Sequence, residues 1–259
     1  MTAADATIEA LATTGTLLVA LDFDGTLSPL VDEPMSARMT PGARAVLDGL
    51  AALPRTTVAL VSGRTLADLR VIAEHDDSST WWLKGSHGAE SWEPGLGEGE
   101  SADDAADLGL RDRLTDEIRG AVADFAGVRV EPKQFGLGIH TRTADDAASD
   151  AARERADALV AAQAPSWRRR TGHDILEFSF RHEGKDSAVA HLRDRVGATA
   201  VLFAGDDVTD EDALGSLRPG DLGVRIGGGE TAATLRVDDI DAFVRVLDTV
   251  ERLRRAHIS

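Results

Sequence analysis

The chain has 259 residues, 42% of them hydrophobic, with no cysteine and a formal charge of −17. That length allows one large domain or two smaller ones with a packed core, and it excludes disulfides and cysteine-zinc sites while arguing against nucleic acid or anionic membranes as partners. No apolar run reaches the length of a membrane span, and the N-terminus carries Asp5 and Glu9 without a basic stretch, so a cytoplasmic protein is expected.

The apolar run Leu17-Leu18-Val19-Ala20 reads as a buried strand, and Leu21-Asp22-Phe23-Asp24-Gly25-Thr26-Leu27 follows directly, with the two acids where the strand ends. Two carboxylates one residue apart are costly to bury unless a positive charge offsets them. A divalent metal supplies that charge and leaves one carboxylate free to act as nucleophile and the other as acid/base. A calcium loop is the competing reading, since Asp22, Asp24 and Glu33 fall at its first, third and twelfth positions. It fails because Leu27 stands where that loop needs glycine and the flank reads as strand.

A helix is expected from Pro41 behind Thr40 as N-cap, carrying Ala45, Val46, Leu47 and Leu50. A second strand at 56–61 ends at Ser62-Gly63-Arg64. A serine there commonly forms a turn or a cap; as a functional group, its hydroxyl and the neighbouring amides would hold phosphate oxygens, with Arg64 facing a substrate anion. A strand at 81–83 leads into Gly85-Ser86-His87-Gly88-Ala89-Glu90, and residues 93–107, rich in glycine and acids, read as a loop or linker.

Beyond the linker the pattern changes. Strands at 128–133 and 135–142, an alanine-rich helix at 145–162 and a strand at 175–180 outline a smaller α+β module over residues 108–182, inserted into an α/β core made of 1–107 and 183–259. The module holds twelve basic and twelve acidic residues, so the core carries the whole net charge. Arg168-Arg169-Arg170 reads as a solvated basic run rather than an anion site.

Lys185 precedes a helical pattern at 188–196. It is one of only three lysines, with Lys84 and Lys133, in a chain that uses arginine freely. A lysine near a helix start is slightly unfavourable to the dipole, which points to phosphate binding. A strand at 200–204 ends in Gly205-Asp206-Asp207, followed by Asp210, Glu211 and Asp212, the hard oxygen ligands that Mg2+ takes. A further strand at 222–226 ends in three glycines. Polar groups gathered at the C-terminal ends of several strands are how an open α/β sheet builds a site.

The order Asp-x-Asp-x-Thr, Ser, Lys, Gly-Asp-Asp-x-x-Asp resembles the haloacid dehalogenase phosphatases. Gly-x-His-Gly-x-Glu at 85–90, Glu131-x-Lys133, His140-x-Arg142 and Glu177 before Lys185 resemble the trehalose-6-phosphate phosphatase family within them, over nearly the whole chain. The family often has Lys-Gly where this chain has Lys185-Asp186. The resemblance implies a Rossmann-like core with a parallel sheet and an inserted cap. It also implies a Mg2+-dependent phosphatase that releases trehalose and phosphate from trehalose 6-phosphate.

By the same resemblance Asp22 is the nucleophile and Asp24 the acid/base, while Thr26, Ser62, Gly63 and Lys185 hold the phosphate. Mg2+ sits on Asp22, the Asp24 carbonyl and Asp206, supported by Asp207 and Asp210. Arg64, Glu131, Lys133, Arg142 and Glu177 contact the substrate. His87, Glu90 and His140 are either sugar contacts or structural hydrogen-bonding residues. The partner expected is a small phosphosugar and the protein a monomer. Sucrose 6-phosphate, a mannosyl-glycerate phosphate, or a non-catalytic sugar-phosphate sensor are the competing expectations.

Overall fold

A computed structural model describes residues 3–99, 105–172 and 174–258. In chain order the first segment runs α1 (Ala3–Ala12), β1 (Leu17–Leu21), α2 (Pro41–Ala51), β2 (Thr56–Val61), α3 (Leu66–Ile72), β3 (Trp82–Gly85), β4 (Glu90–Glu93) and β5 (Gly97–Glu98). The middle segment holds α4 (Ala105–Ala121), β6 (Arg129–Lys133), β7 (Gly136–His140), α5 (Asp146–Gln163), β8 (Arg168–Gly172) and β9 (Ile175–Ser179). The last holds α6 (Lys185–Val196), β10 (Ala200–Gly205), α7 (Glu211–Gly215), β11 (Leu222–Ile226), β12 (Leu235–Val237) and α8 (Ile240–Ile258). The chain divides into two compact units, one from the segments up to Gly99 and from Glu183 on, the other from the segment between.

The larger unit is built on one sheet in the order β12-β11-β10-β1-β2-β3-β4-β5, parallel from β12 to β3 and antiparallel beyond. β1 is buried at all five positions because helices cover both faces. Leu17, Val19 and Leu21 pack with α1, α2 and α8, while Leu18 and Ala20 pack with α6 and α7. Such two-sided burial is why parallel strands read as unbroken apolar runs. Thr40 caps α2 by accepting from Ala43 N, and Pro41 stands at its first position, as expected.

The expected loop or linker at 93–107 contains, among its described residues, the end of β4, the short strand β5 and the start of α4. Trp92 is buried opposite Leu83, which makes β4 an extension of the sheet, and β5 pairs Gly97 with Glu93. Helix α4 begins at Ala105; residues 100–104 of that expectation lie outside the described residues.

The smaller unit is a four-stranded antiparallel sheet, β6-β7-β9-β8, with α4 and α5 packed on one face around Leu114, Ile118, Leu137, Ile139, Ala156 and Leu176. The arginine run forms the edge strand β8, with Arg169 exposed and Arg168 and Arg170 part-exposed. Period-two alternation separates its members, and Arg169 forms a two-bond pair with Asp157 of α5 at 2.6 and 3.0 Å. A charged edge strand also resists pairing with other chains.

Candidate active site

β10, β1 and β2 lie side by side in the sheet, and just past their C-terminal ends stand Asp206, Asp22 and Ser62. Lys185 is the first residue of α6, behind Gly184 as N-cap. Its ammonium donates bonds of 2.6 Å to Asp22 Oδ1 and 2.6 Å to Asp210 Oδ1. All three are buried, Asp210 completely. Carboxylate oxygens of Asp22, Asp206 and Asp210 lie within 4.8 Å of one another. Thr26, also fully buried, donates to Asp22 Oδ2 at 3.4 Å.

The electrostatics follow from one ammonium facing three carboxylates. Burial pushes the Asp22 carboxyl well above its usual range; Lys185 opposes this, and Asp210 and Asp206 add to it. Burial, then the charge on Asp210, pushes Asp206 up to about 6. For Lys185 burial works the other way, but Asp210 and Asp22 outweigh it and hold the ammonium above its ordinary value. The cluster is therefore short of positive charge, and its donors are hard oxygens, a set that fits a divalent cation such as Mg2+. The backbone is shaped for this proximity. Gly25 has φ +75°, and a Cβ there would lie 2.0 Å from the Asp206 carboxylate.

Asp24 is oriented differently from Asp22. Arg64 clasps it with two bonds, Nε to Oδ2 at 2.8 Å and the other nitrogen to Oδ1 at 2.7 Å. That hydrogen bonding to Asp24 holds the Arg64 guanidinium above its usual pKa, against the effect of burial. Ser62 is buried and its Oγ accepts from Arg64 N at 3.1 Å, which curls the Ser62-Gly63-Arg64 loop. Asp207 caps the 3-10 turn at Val208–Asp210 by accepting from Val208 N, and its own N–H donates to Asp210 Oδ2 at 3.0 Å. Asp210, not Asp207, thus joins the carboxylate cluster. Arg225 on β11 donates to Asp207 O at 2.8 Å and fixes the same turn. A lone arginine in the apolar run Leu222-Gly223-Val224-Arg225-Ile226 was its visible sequence signal.

His87 lies on the turn that follows β3 and Glu90 at the start of β4, beside the Ser62-Gly63-Arg64 loop. His87 N donates to Ser62 O at 2.9 Å, and Glu90 Oε2 accepts from Leu66 N at 3.0 Å and Ser86 Oγ at 2.6 Å. Lys84, buried on β3, has its pKa lowered by that burial.

In the smaller unit the register aligns Glu131 with Gly138, Gly138 with Glu177 and Glu177 with Arg170, one row across the face opposite the helices. Lys133 reaches back along that face, 4.0 Å from Glu131 and 3.8 Å from Glu177. A Cβ at Gly138 would come within 3.3 Å of its Cε, so the glycine leaves the lysine its path. His140 Nε2 lies 2.7 Å from Glu131 Oε2. Arg142 follows β7 in an exposed turn, outside the row.

A mostly parallel sheet with a carboxylate cluster at its strand ends, and a separate antiparallel sheet, define a haloacid-dehalogenase-like α/β protein. A solved haloacid dehalogenase-like hydrolase from B. subtilis has the same fold, with a TM-score of 0.59 at 15% identity over 89% of this chain and 98% of that one. The trehalose-phosphatase family model matches residues 20–237, and the chain belongs to that family. A trehalose-phosphate phosphatase of Mycolicibacterium paratuberculosis is 35% identical over 247 residues, 91% of this chain and 61% of the relative. A solved structure described as a trehalose-6-phosphate phosphatase related protein is 26% identical, covers 92% of this chain and 99% of that one, and superposes with a TM-score of 0.73. The chain spans about three fifths of the length of the curated relatives it matches.

Proposed function

We propose that the protein is a Mg2+-dependent phosphatase that hydrolyses trehalose 6-phosphate to trehalose and phosphate, acting as a monomer in the cytoplasm. The observation that carries this reading is the close group of Asp22, Asp206 and Asp210, in which the buried Lys185 ammonium bonds Asp22 and Asp210. In this reading an Asp22 oxygen attacks phosphorus, the bond from phosphorus to the sugar oxygen breaks, and Asp24 gives that oxygen a proton. Water then attacks phosphorus of the aspartyl-phosphate and gives a proton to Asp24, and the bond from phosphorus to the Asp22 oxygen breaks, which regenerates both acids and frees phosphate. Lys185, Thr26, Ser62 and the Gly63 amide hold the phosphate oxygens, since phosphoryl transfer is mainly positioning and neutralisation of charge.

Mg2+ held by the Asp22 and Asp206 carboxylates and the Asp24 carbonyl, with Asp207 and Asp210 in support, would supply the positive charge that lets an anionic nucleophile approach an anionic phosphate. Glu131, Lys133, Arg142 and Glu177 supply mixed donors and acceptors suited to the hydroxyls of a disaccharide, and Arg64 and His87 serve the sugar phosphate end. The relatives named trehalose-phosphate phosphatase support this choice of substrate.

The test is phosphate release from a panel of purified phosphosugars with Mg2+ or with EDTA. Turnover of trehalose 6-phosphate well above sucrose 6-phosphate and mannosyl-glycerate phosphate, lost in EDTA, is the expected result. Preference for another sugar overturns the substrate, and no turnover of any overturns the enzyme in favour of a sensor. Light scattering on the eluting protein tests the monomer.

A further inference from the structure

The acid/base candidate Asp24 is aimed by Arg64, and what aims Arg64 lies one residue pair further out. Arg64 sits in a loop rather than a helix or strand, between the end of β2 and Thr65, the N-cap of α3. A long side chain on a loop holds a two-bond geometry only when its backbone is fixed on both sides. On one side Ser86 N donates to Arg64 O at 2.6 Å, and next to it His87 N donates to Ser62 O at 2.9 Å. Ser86 and His87 both adopt left-handed backbone, with φ +48° and +58°. Two successive non-glycine residues in that region cost energy and persist only where their surroundings hold them.

Glu90 is what holds them. Its Oε2 accepts from Ser86 Oγ at 2.6 Å, inside the strained turn, and from Leu66 N at 3.0 Å, two residues past Arg64. One carboxylate oxygen therefore ties the turn that grips Arg64 O to the helix start that follows Arg64. Gly85 leaves the space for this junction, because a Cβ there would lie 2.5 Å from Leu66 N.

We propose that Glu90 is a positioning residue that, through the Ser86–His87 turn and the start of α3, sets the Arg64 guanidinium on Asp24. Each Asp24 oxygen keeps a second lone pair while clasped, so the clasp orients the carboxylate without exhausting it. This consequence for turnover rests on the phosphatase reading above; the placement of Arg64 does not.

Two measurements on the full chain test it. The first is the 15N–1H signal of the Arg64 Nε–H, assigned by its loss in Arg64→Lys and protected in the wild type by its bond to Asp24. Glu90→Ala should abolish that protection in a protein that still melts cooperatively. Glu90→Gln, whose amide oxygen can accept both bonds, should keep it. The second is kinetic. Glu90→Ala should lower kcat on the order of 10- to 100-fold, Ser86→Ala less, and Glu90→Ala added to Arg64→Ala should cost nothing more.

A folded Glu90→Ala with Arg64 Nε–H still protected overturns the proposal, as do kinetic effects that multiply in the double variant. If Glu90→Ala does not fold, Ser86→Ala decides, since it removes one of Glu90's two donors and must weaken the same signal. A wild type with no turnover sinks the phosphatase reading, while the Arg64 signal still decides the role of Glu90.

Discussion

Lys185 stands in a demanding position. It is buried with Asp22 and Asp210 on its ammonium and Asp206 close by. Removing one partner of a buried ion pair costs far more than the pair contributes, because a charge is left uncompensated. Lys185→Ala leaves three acids and no cation, and is expected to lower stability by about 3–5 kcal/mol in EDTA, read by urea denaturation. Asp22→Asn works in the opposite sense. Asp22 already pays for burial with a raised pKa, and the substitution leaves Lys185 its bond to Asp210. In EDTA the variant should melt at or above the wild-type temperature, while turnover of the preferred phosphosugar falls about a thousandfold or more. A variant that keeps wild-type turnover removes Asp22 as the nucleophile.

At the scale of elements, the α3–β3 connection holds a group that responds to acid. His75 follows α3, is buried, and stacks edge-on against Trp92 at 4.4 Å between ring centroids. Its Nε2 meets Trp81 O at 3.2 Å, whereas Nδ1 has no partner. Burial lowers its pKa from 6.5, with the Trp81 carbonyl opposing. The unfolded chain then binds the proton more readily than the folded one, so the contribution of His75 is complete above pH 6.5 and is lost as pH falls from there toward the lowered folded value. Between pH 7.5 and 5.5 the wild type should lose a few degrees of melting temperature more than His75→Phe, which has no proton to take up. Equal losses in both would remove His75 as the cause.

The elements also show what a sequence carries. β1, β2, β10 and β11 were legible because two-sided burial leaves no polar position in most of their length. β8 was not, since an edge strand made of arginines has no apolar face to announce it. Arg254 hides in the apolar stripe of α8 beside Phe243, Leu247 and Val250. It is fully buried and donates to the carbonyls of Ala12, Thr14 and Arg55, which lie some two hundred residues away in sequence. The carboxylate pair and its lysine were visible as motifs at strand and helix ends. The Arg64–Asp24 clasp and the Glu90 anchor were not, because left-handed turns at Ser86 and His87 have no periodic signature.

For the whole molecule, charge is unevenly divided. With the smaller unit taken as residues 100–182, it holds twelve basic and sixteen acidic residues, so −4 of the total −17 lies there and −13 on the larger unit. The larger unit also holds the carboxylate cluster, so a divalent cation acts on its stability alone. A ligand that binds only the folded state stabilises by RT ln(1 + [L]/Kd), about 2.7 kcal/mol at a hundredfold excess over Kd. For a unit of this size, at about 2–4 °C per kcal/mol, that amounts to roughly 5–11 °C. Calorimetry in EDTA and in increasing Mg2+ should show that shift, and where two transitions separate, only one of them should move. Asp206→Asn, which removes a cluster oxygen but neither partner of Lys185, should abolish the shift and leave the transition itself intact. Equal shifts in Asp206→Asn and the wild type would place the cation away from the strand ends, and a second transition moving in parallel would make its effect a general screening of charge rather than occupancy of a site.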